Sequence, residues 1–300
     1  MDSVDLFEGE EIIERVAGLD IGKAEVVCCV RVPDAGRPGR RGQEVRRFST
    51  MTSALLELAQ WLREVAVTRV VMESTSDYWR PVFYVLEASL GANGVQPWLV
   101  NARQVKHLPG RPKTDRLDAV WLCRLAERQM LAPSFVPPVE IRQLRDLTRY
   151  RADLVVTRNG FKQRAEKLLE DAQIKISVVA TDIFGASGRS MMAALIAGER
   201  DPDRLADLAL STLRRKTPQL REALHGRFND HHAYLLGKIL DQVDAFNGEI
   251  ADLDHRIEAE LAPFGRAAVQ VLDEIPGINA VAAGVSDGLC KGSVLTKGPS

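Results

Sequence analysis

Polar and apolar positions follow two rhythms along this chain, and the change from one to the other falls near its middle. From Arg15 to Arg31 short apolar runs, interrupted at Asp20 and Gly22, predict two strands. Asp34 to Arg41 is rich in Gly, Pro and Arg and reads as a turn, so Glu44 to Ser49 returns as a third strand of a meander. Ser53 to Val65 has helical spacing through Leu55, Leu56, Leu58, Leu62 and Val65. Thr68 to Thr75 then predicts a short buried strand, Trp79 to Leu90 a helix, and Val95 to Val100 another strand. Helices that alternate with strands after a meander imply a mixed α/β sheet covered by helices.

Beyond a Pro-rich connector from Ala132 to Pro138 the rhythm becomes purely helical. Leu147, Tyr150, Leu154, Phe161 and Leu168 lie on a seven-residue frame, with Thr157 and Arg164 at the intervening positions. Residues 180–230 are a less regular helical stretch. Leu236, Ile239, Val243, Phe246, Ile250, Leu253 and Ile257 then repeat at alternating spacings of three and four. Two long helices are expected to pair as a coiled coil, within the chain or between chains. After Ala283 the periodicity stops and apolar content is low, so a disordered tail is expected. The expected divisions are therefore 1–131, 132–262, 263–283 and 284–300.

Composition adds limits. With 45% hydrophobic and 27% charged residues, the 300-residue chain reads as ordinary soluble protein of more than one domain. No run of about 18 apolar residues exists to span a membrane. The acidic start, Met-Asp-Ser-Val-Asp-Leu-Phe-Glu-Gly-Glu-Glu, lacks a signal peptide's apolar segment, so the cytoplasm is the expected location. Four cysteines without zinc spacing read as buried free thiols. The net charge of −1 hides an uneven distribution. Residues 101–170 hold 15 Lys/Arg against 8 Asp/Glu, a net of +7, and residues 241–274 hold 2 against 9, a net of −7. The basic face of the first long helix, with Arg158 and Lys162, reads either as a solvated surface or as a nucleic-acid backbone contact.

The candidate chemistry centres on Lys106 to Ala126. Pro112 ends the preceding segment, Thr114 is an N-cap candidate, and Val120, Leu122, Leu125 and Ala126 supply an apolar helical stripe. Asp115 and Asp118 then share one helix face in the first turn, where the helix dipole by itself also favours acids. Two further acids stand at strand ends, Asp20 and Glu73. Carboxylates gathered from separate elements repel unless a cation neutralises them. Two divalent metals about 3.5–4 Å apart are the usual reason for such a set, and they serve phosphodiester cleavage.

Three ordered blocks carry a resemblance across residues 14–130: Leu19-Asp20-Ile21-Gly22-Lys23, Val71-Met72-Glu73-Ser74-Thr75 followed by Tyr78-Trp79, and Val100-Asn101 through Lys113-Thr114-Asp115-Arg116-Leu117-Asp118-Ala119. They resemble the Asp-Glu-Asp-Asp (DEDD) transposases of bacterial insertion sequences, relatives of the Piv-type DNA invertases. The resemblance implies an RNase H-like N-terminal domain, similar to Holliday-junction resolvases. It implies that Asp20, Glu73, Asp115 and Asp118 are both catalytic residues and ligands of Mg²⁺ (or Mn²⁺). It further implies DNA as substrate and a guide RNA as second partner, and the heptad helices predict a homo-oligomer held by the coiled coil. Arg111, Lys113 and Arg116 would neutralise phosphates beside the metals. The chain departs from the family at Ser74-Thr75-Ser76, where a Thr-Gly pair is usual.

Val271-Leu-Asp-Glu-Ile-Pro-Gly-Ile-Asn-Ala resembles the helix-hairpin-helix start of the family's C-terminal domain, with Asn279 where a second Gly is usual. That domain normally continues further and supplies a nucleophilic Ser, so a truncated and inactive enzyme is expected as one form of the transposase reading. The alternative is a non-catalytic nucleic-acid-binding remnant that regulates full-length relatives. A third reading, an ATP-dependent sugar-kinase-like enzyme, rests on Asp20-Ile21-Gly22 after a strand, but the chain lacks a second Gly-rich phosphate loop.

Overall fold

The Val-Ala-Gly-Leu-Asp-Ile segment forms β1 (Val16–Ile21), whose near-continuous burial explains why it does not alternate polar and apolar residues. In this computed structural model the described residues are 12–37, 39–73, 76–95, 97–101 and 115–264, without the side chains of 115–117 and 264. β1 is the middle strand of a five-stranded sheet of order β3-β2-β1-β4-β5. It runs antiparallel to β2 (Glu25–Pro33), with Gly18 opposite Cys29, and parallel to β4 (Arg69–Glu73), with Leu19 opposite Met72. β3 (Arg41–Ser49) pairs antiparallel with β2, and β5 (Pro97–Val100) pairs parallel with β4. This mixed α/β sheet, an antiparallel meander continued by parallel strands, is the arrangement expected of an RNase H-like domain.

β3 begins three residues before the expected Glu44. The turn closes sooner because Asp34 N–H donates to the Arg40 carbonyl at 2.9 Å, and Gly39 supplies a φ of 79°.

Helices cover both faces of the sheet, and strand alternation sorts the side chains between them. Ala17, Leu19, Val70, Met72 and Leu99 pack on one face with α1 (Thr52–Glu64) and α2 (Trp79–Leu90). Val16, Val27, Cys29, Val71 and Val100 pack on the other with α3 (Asp115–Glu127).

The chain divides into two compact units, Met1–Val136 and Pro137–Ser300. In the second, α4 (Val139–Asp171) and α9 (Asp230–Leu261) pair within the chain and run antiparallel. Arg151 bonds Asp254, Arg158 Nη1 donates to Asn247 Oδ1 at 3.0 Å, and the Phe161 and Phe246 rings lie 5.6 Å apart. Part of the charge asymmetry read along the sequence is therefore internal, basic helix against acidic helix. Between them run α5 (Ile176–Val179), α6 (Ala186–Ile196), α7 (Pro202–Asp207), a 3₁₀ turn at Ser211–Lys216 and α8 (Thr217–Ala223). Met191, Met192, Leu205 and Leu220 from these pack with Ala165, Leu169 and Leu236.

The seam on α9 follows the expected spacing, with Leu236, Val243, Ile250 and Ile257 buried. The frame expected on α4 holds in part, with Leu154 buried and Leu147, Phe161 and Leu168 half-buried. Tyr150 is 55% exposed, and Thr157 and Arg164 also face outward. The fully buried line runs through Ile141, Leu144, Thr148, Leu154, Ala165 and Leu169. A polar or small residue at Thr148 and Ala165 makes the inward line less apolar, so hydrophobicity alone does not find those two positions.

Candidate functional site

The parallel register between β1 and β4 determines where two of the candidate acids stand. Leu19 pairs with Met72, and the next residue of each strand is Asp20 and Glu73. Adjacent strands lie about 4.8 Å apart, so the two acids end neighbouring central strands side by side. Alternation also sets their face. Val16 and Val71 point towards α3, so Asp20 and Glu73, four and two residues on, share that side. Glu73 is 6% exposed and Asp20 half-buried.

α3 crosses β1 at Gly18, and the crossing is backbone against backbone. A Cβ on Gly18 would stand 2.5 Å from the Cys123 nitrogen and 2.7 Å from the Ala119 carbonyl oxygen. Cys123 Sγ donates to the Val16 carbonyl at 3.4 Å, and Ile13 N–H donates to the Glu127 carbonyl at 2.9 Å. Later residues of α3 thus meet earlier residues of β1, and the helix runs antiparallel to the strand. Followed backwards past Ala119, α3 leads Asp118, and Asp115 one turn earlier, towards the strand end that bears Asp20. Asp118 is half-buried.

Three elements thereby bring Asp20, Glu73 and Asp118 to one face and one end of the sheet. Among the described residues, no three His, Cys, Asp or Glu side chains come close enough to hold a metal ion. The side chain of Asp115 lies outside the described residues, as do Arg111, Lys113 and the Arg116 side chain. So do the helix-hairpin-helix segment at 271–283 and the expected tail after Ala283. The donor set at this end is made of carboxylates, hard oxygen ligands that suit Mg²⁺ or Mn²⁺ rather than a soft metal.

The two basic residues singled out on α4 have partners inside the helical unit. Arg158 bonds Asn247, and Lys162 Nζ lies 4.9 Å from the centre of the Phe184 ring. Both are half-buried rather than on a solvated face. No described helix is long and apolar enough to cross a membrane.

Two features of the α3 face were not singled out from the sequence. Gly18 was legible as an isolated glycine inside a strand, which signals close approach of another backbone. Glu127, at the end of α3, is 5% exposed and bonds Arg31 and Arg41 at 2.8 and 2.5 Å. Its partners lie 96 and 86 residues away, and no local pattern announces them.

The solved structures that resemble the chain include Thermus thermophilus RuvC, at 14% identity and a TM-score of 0.32, over 40% of this chain and 99% of that one. The same protein in complex with a Holliday junction substrate matches at 13% identity and a TM-score of 0.31, covering 41% and 100%. Fowlpox virus resolvase in complex with Holliday junction DNA matches at 12% and 0.25, covering 34% and 67%. No curated protein sequence matches the chain. Residues 17–174, more than half of its length, match the IS110-type DEDD family described as transposase. The chain therefore belongs to that transposase family, whose general activity is DNA transposition and recombination.

Proposed function

We propose that this protein is a metal-dependent DNA transposase that cleaves phosphodiester bonds with Mg²⁺ or Mn²⁺ held by Asp20, Glu73, Asp115 and Asp118. The observation that carries the reading is the convergence of β1, β4 and α3. The parallel register sets Asp20 beside Glu73, and the antiparallel run of α3 over Gly18 leads Asp118 to the same end. When bound, the metals would activate the attacking water and stabilise charge on the leaving oxygen. The residues of this chain would hold the ions, and Arg111, Lys113 and Arg116 would neutralise the adjacent phosphates. A guide RNA as second partner, assembly into a homo-oligomer through the long helices, and a cytoplasmic location belong to the same reading.

The test is cleavage of DNA carrying the element's ends, with either metal, by the parent and by Asp20→Ala. Loss of a metal ligand is expected to lower the rate by about three orders of magnitude. Equal cleavage by both proteins would remove the acids from the mechanism.

A further inference from the structure

The helix that carries two of the four acids is fastened to the sheet at its opposite end by buried charge. Glu127 uses both carboxylate oxygens there. Oε2 accepts from Arg31 Nε on β2 at 2.8 Å, and Oε1 from Arg41 Nε on β3 at 2.5 Å. Arg41 Nη2 also reaches the Ile13 and Arg31 carbonyls at 3.3 and 3.4 Å. Arg31 Nη1 in turn donates to Gln43 Oε1 at 2.9 Å, and Ile13 N–H closes onto the Glu127 carbonyl at 2.9 Å. Burying Glu127 and half-burying Arg31 and Arg41 costs desolvation, and an apolar cluster of the same volume is often as stable. What the ionic cluster adds over such a cluster is fixed length and direction.

We propose that Arg31, Arg41 and Glu127 are positioning residues that set where Asp115 and Asp118 stand relative to Asp20 and Glu73. The inference rests on the metal-site reading above. Its mechanical basis is the contact at Gly18, where the Cys123 and Ala119 backbone leaves no room for even a methyl group. That contact is a pivot. From Cys123 the helix extends four residues to Glu127, about 6 Å, and five residues back to Asp118, about 7.5 Å. A shift at the Glu127 end therefore reappears at Asp118 with about the same size. Metal-binding side chains must be held within about 0.5 Å, so even a small release at Glu127 disturbs the acids.

The experiment uses the full chain in three forms: the parent, Glu127→Gln, and the apolar triple variant Arg31→Met/Arg41→Met/Glu127→Leu. Thermal melting reports folding, while calorimetric Mn²⁺ titration, with and without duplex DNA, reports the geometry of the acids. The triple variant is expected to melt cooperatively near the parent while binding Mn²⁺ about 10–100-fold more weakly, as supporting-shell losses do. Parent-like Mn²⁺ affinity in the folded triple variant overturns the proposal. Should the triple variant fail to fold, the near-isosteric Glu127→Gln decides by the same comparison. If the parent itself binds no Mn²⁺, with or without DNA, the metal reading falls and takes this inference with it. Loss of binding confined to the variants leaves the metal reading intact.

Discussion

Just past Glu73, Ser76 has a φ of 51°, a left-handed conformation that costs an L-residue about 1–2 kcal/mol. It lies in the Ser74-Thr75-Ser76 stretch, where the transposase family usually has a glycine. The departure from the family pattern thus coincides with backbone strain beside a candidate metal ligand, the kind of place where strain collects. Ser76→Gly relieves the strain but loosens the unfolded chain, and is expected to raise stability by about 0.5–1 kcal/mol. Thermal melting checks it, and a lower midpoint would mean that the turn needs the serine. At this scale the sequence was informative about the acids themselves. Asp20 interrupts an apolar strand and Glu73 ends one, and both stand at the strand ends where they were expected.

The elements were legible where hydrophobic period and length agreed. α2 occupies Trp79–Leu90 as expected, and α1 is displaced by one residue from the expected Ser53–Val65. α3 spans Asp115–Glu127, and its expected N-cap, Thr114, lies outside the described residues. α4 was harder to orient, because its inward line includes Thr148 and Ala165 while Tyr150, a better hydrophobe, faces solvent. The start of α9 is tied back to the end of α4 by a device that no period reveals. Asn229 Oδ1 accepts from His232 N–H at 3.2 Å, and Asn229 N–H donates to His232 Nδ1 at 3.3 Å. That leaves His232 Nε2 as the protonated nitrogen, which donates to Asp171 Oδ2 at 3.2 Å. Asn229→Ala removes the cap and is expected to cost about 1 kcal/mol. Urea unfolding of the two proteins measures it, and an unchanged midpoint would mean that the cap is replaced by water.

Across the whole molecule the two units have separate cores, and the described cysteines lie in only one of them. While a hydrogen bond from Cys123 lowers its neighbour Cys29, burial pushes the Cys28 and Cys123 thiols well above their ordinary value of about 9. Above that pH the unfolded chain releases these protons while the folded unit keeps them. The stability associated with the neutral thiols is therefore complete below pH 9 and declines as pH rises further. The slope is about 1.4 kcal/mol per pH unit for each thiol that stays protonated. In a melt that separates two transitions, the gap between them should change from pH 8 to pH 10 in the parent. It should change less in Cys28→Ala/Cys123→Ala, and an equal change would assign the effect to other groups.

By itself the sequence determined the order of the elements and the mixed α/β class and singled out four acids as candidates, because hydrophobic period, turn residues and the DEDD blocks are local properties of the chain. The tertiary structure decided the rest. Asp20 stands beside Glu73 because β1 and β4 are parallel and in register. Asp118 approaches them because Gly18 admits a helix that runs against the strand, and that helix is pinned by arginines some ninety residues away in the chain. Such pairings depend on closing long loops and on burying charge, and neither leaves a periodic trace in the order of residues.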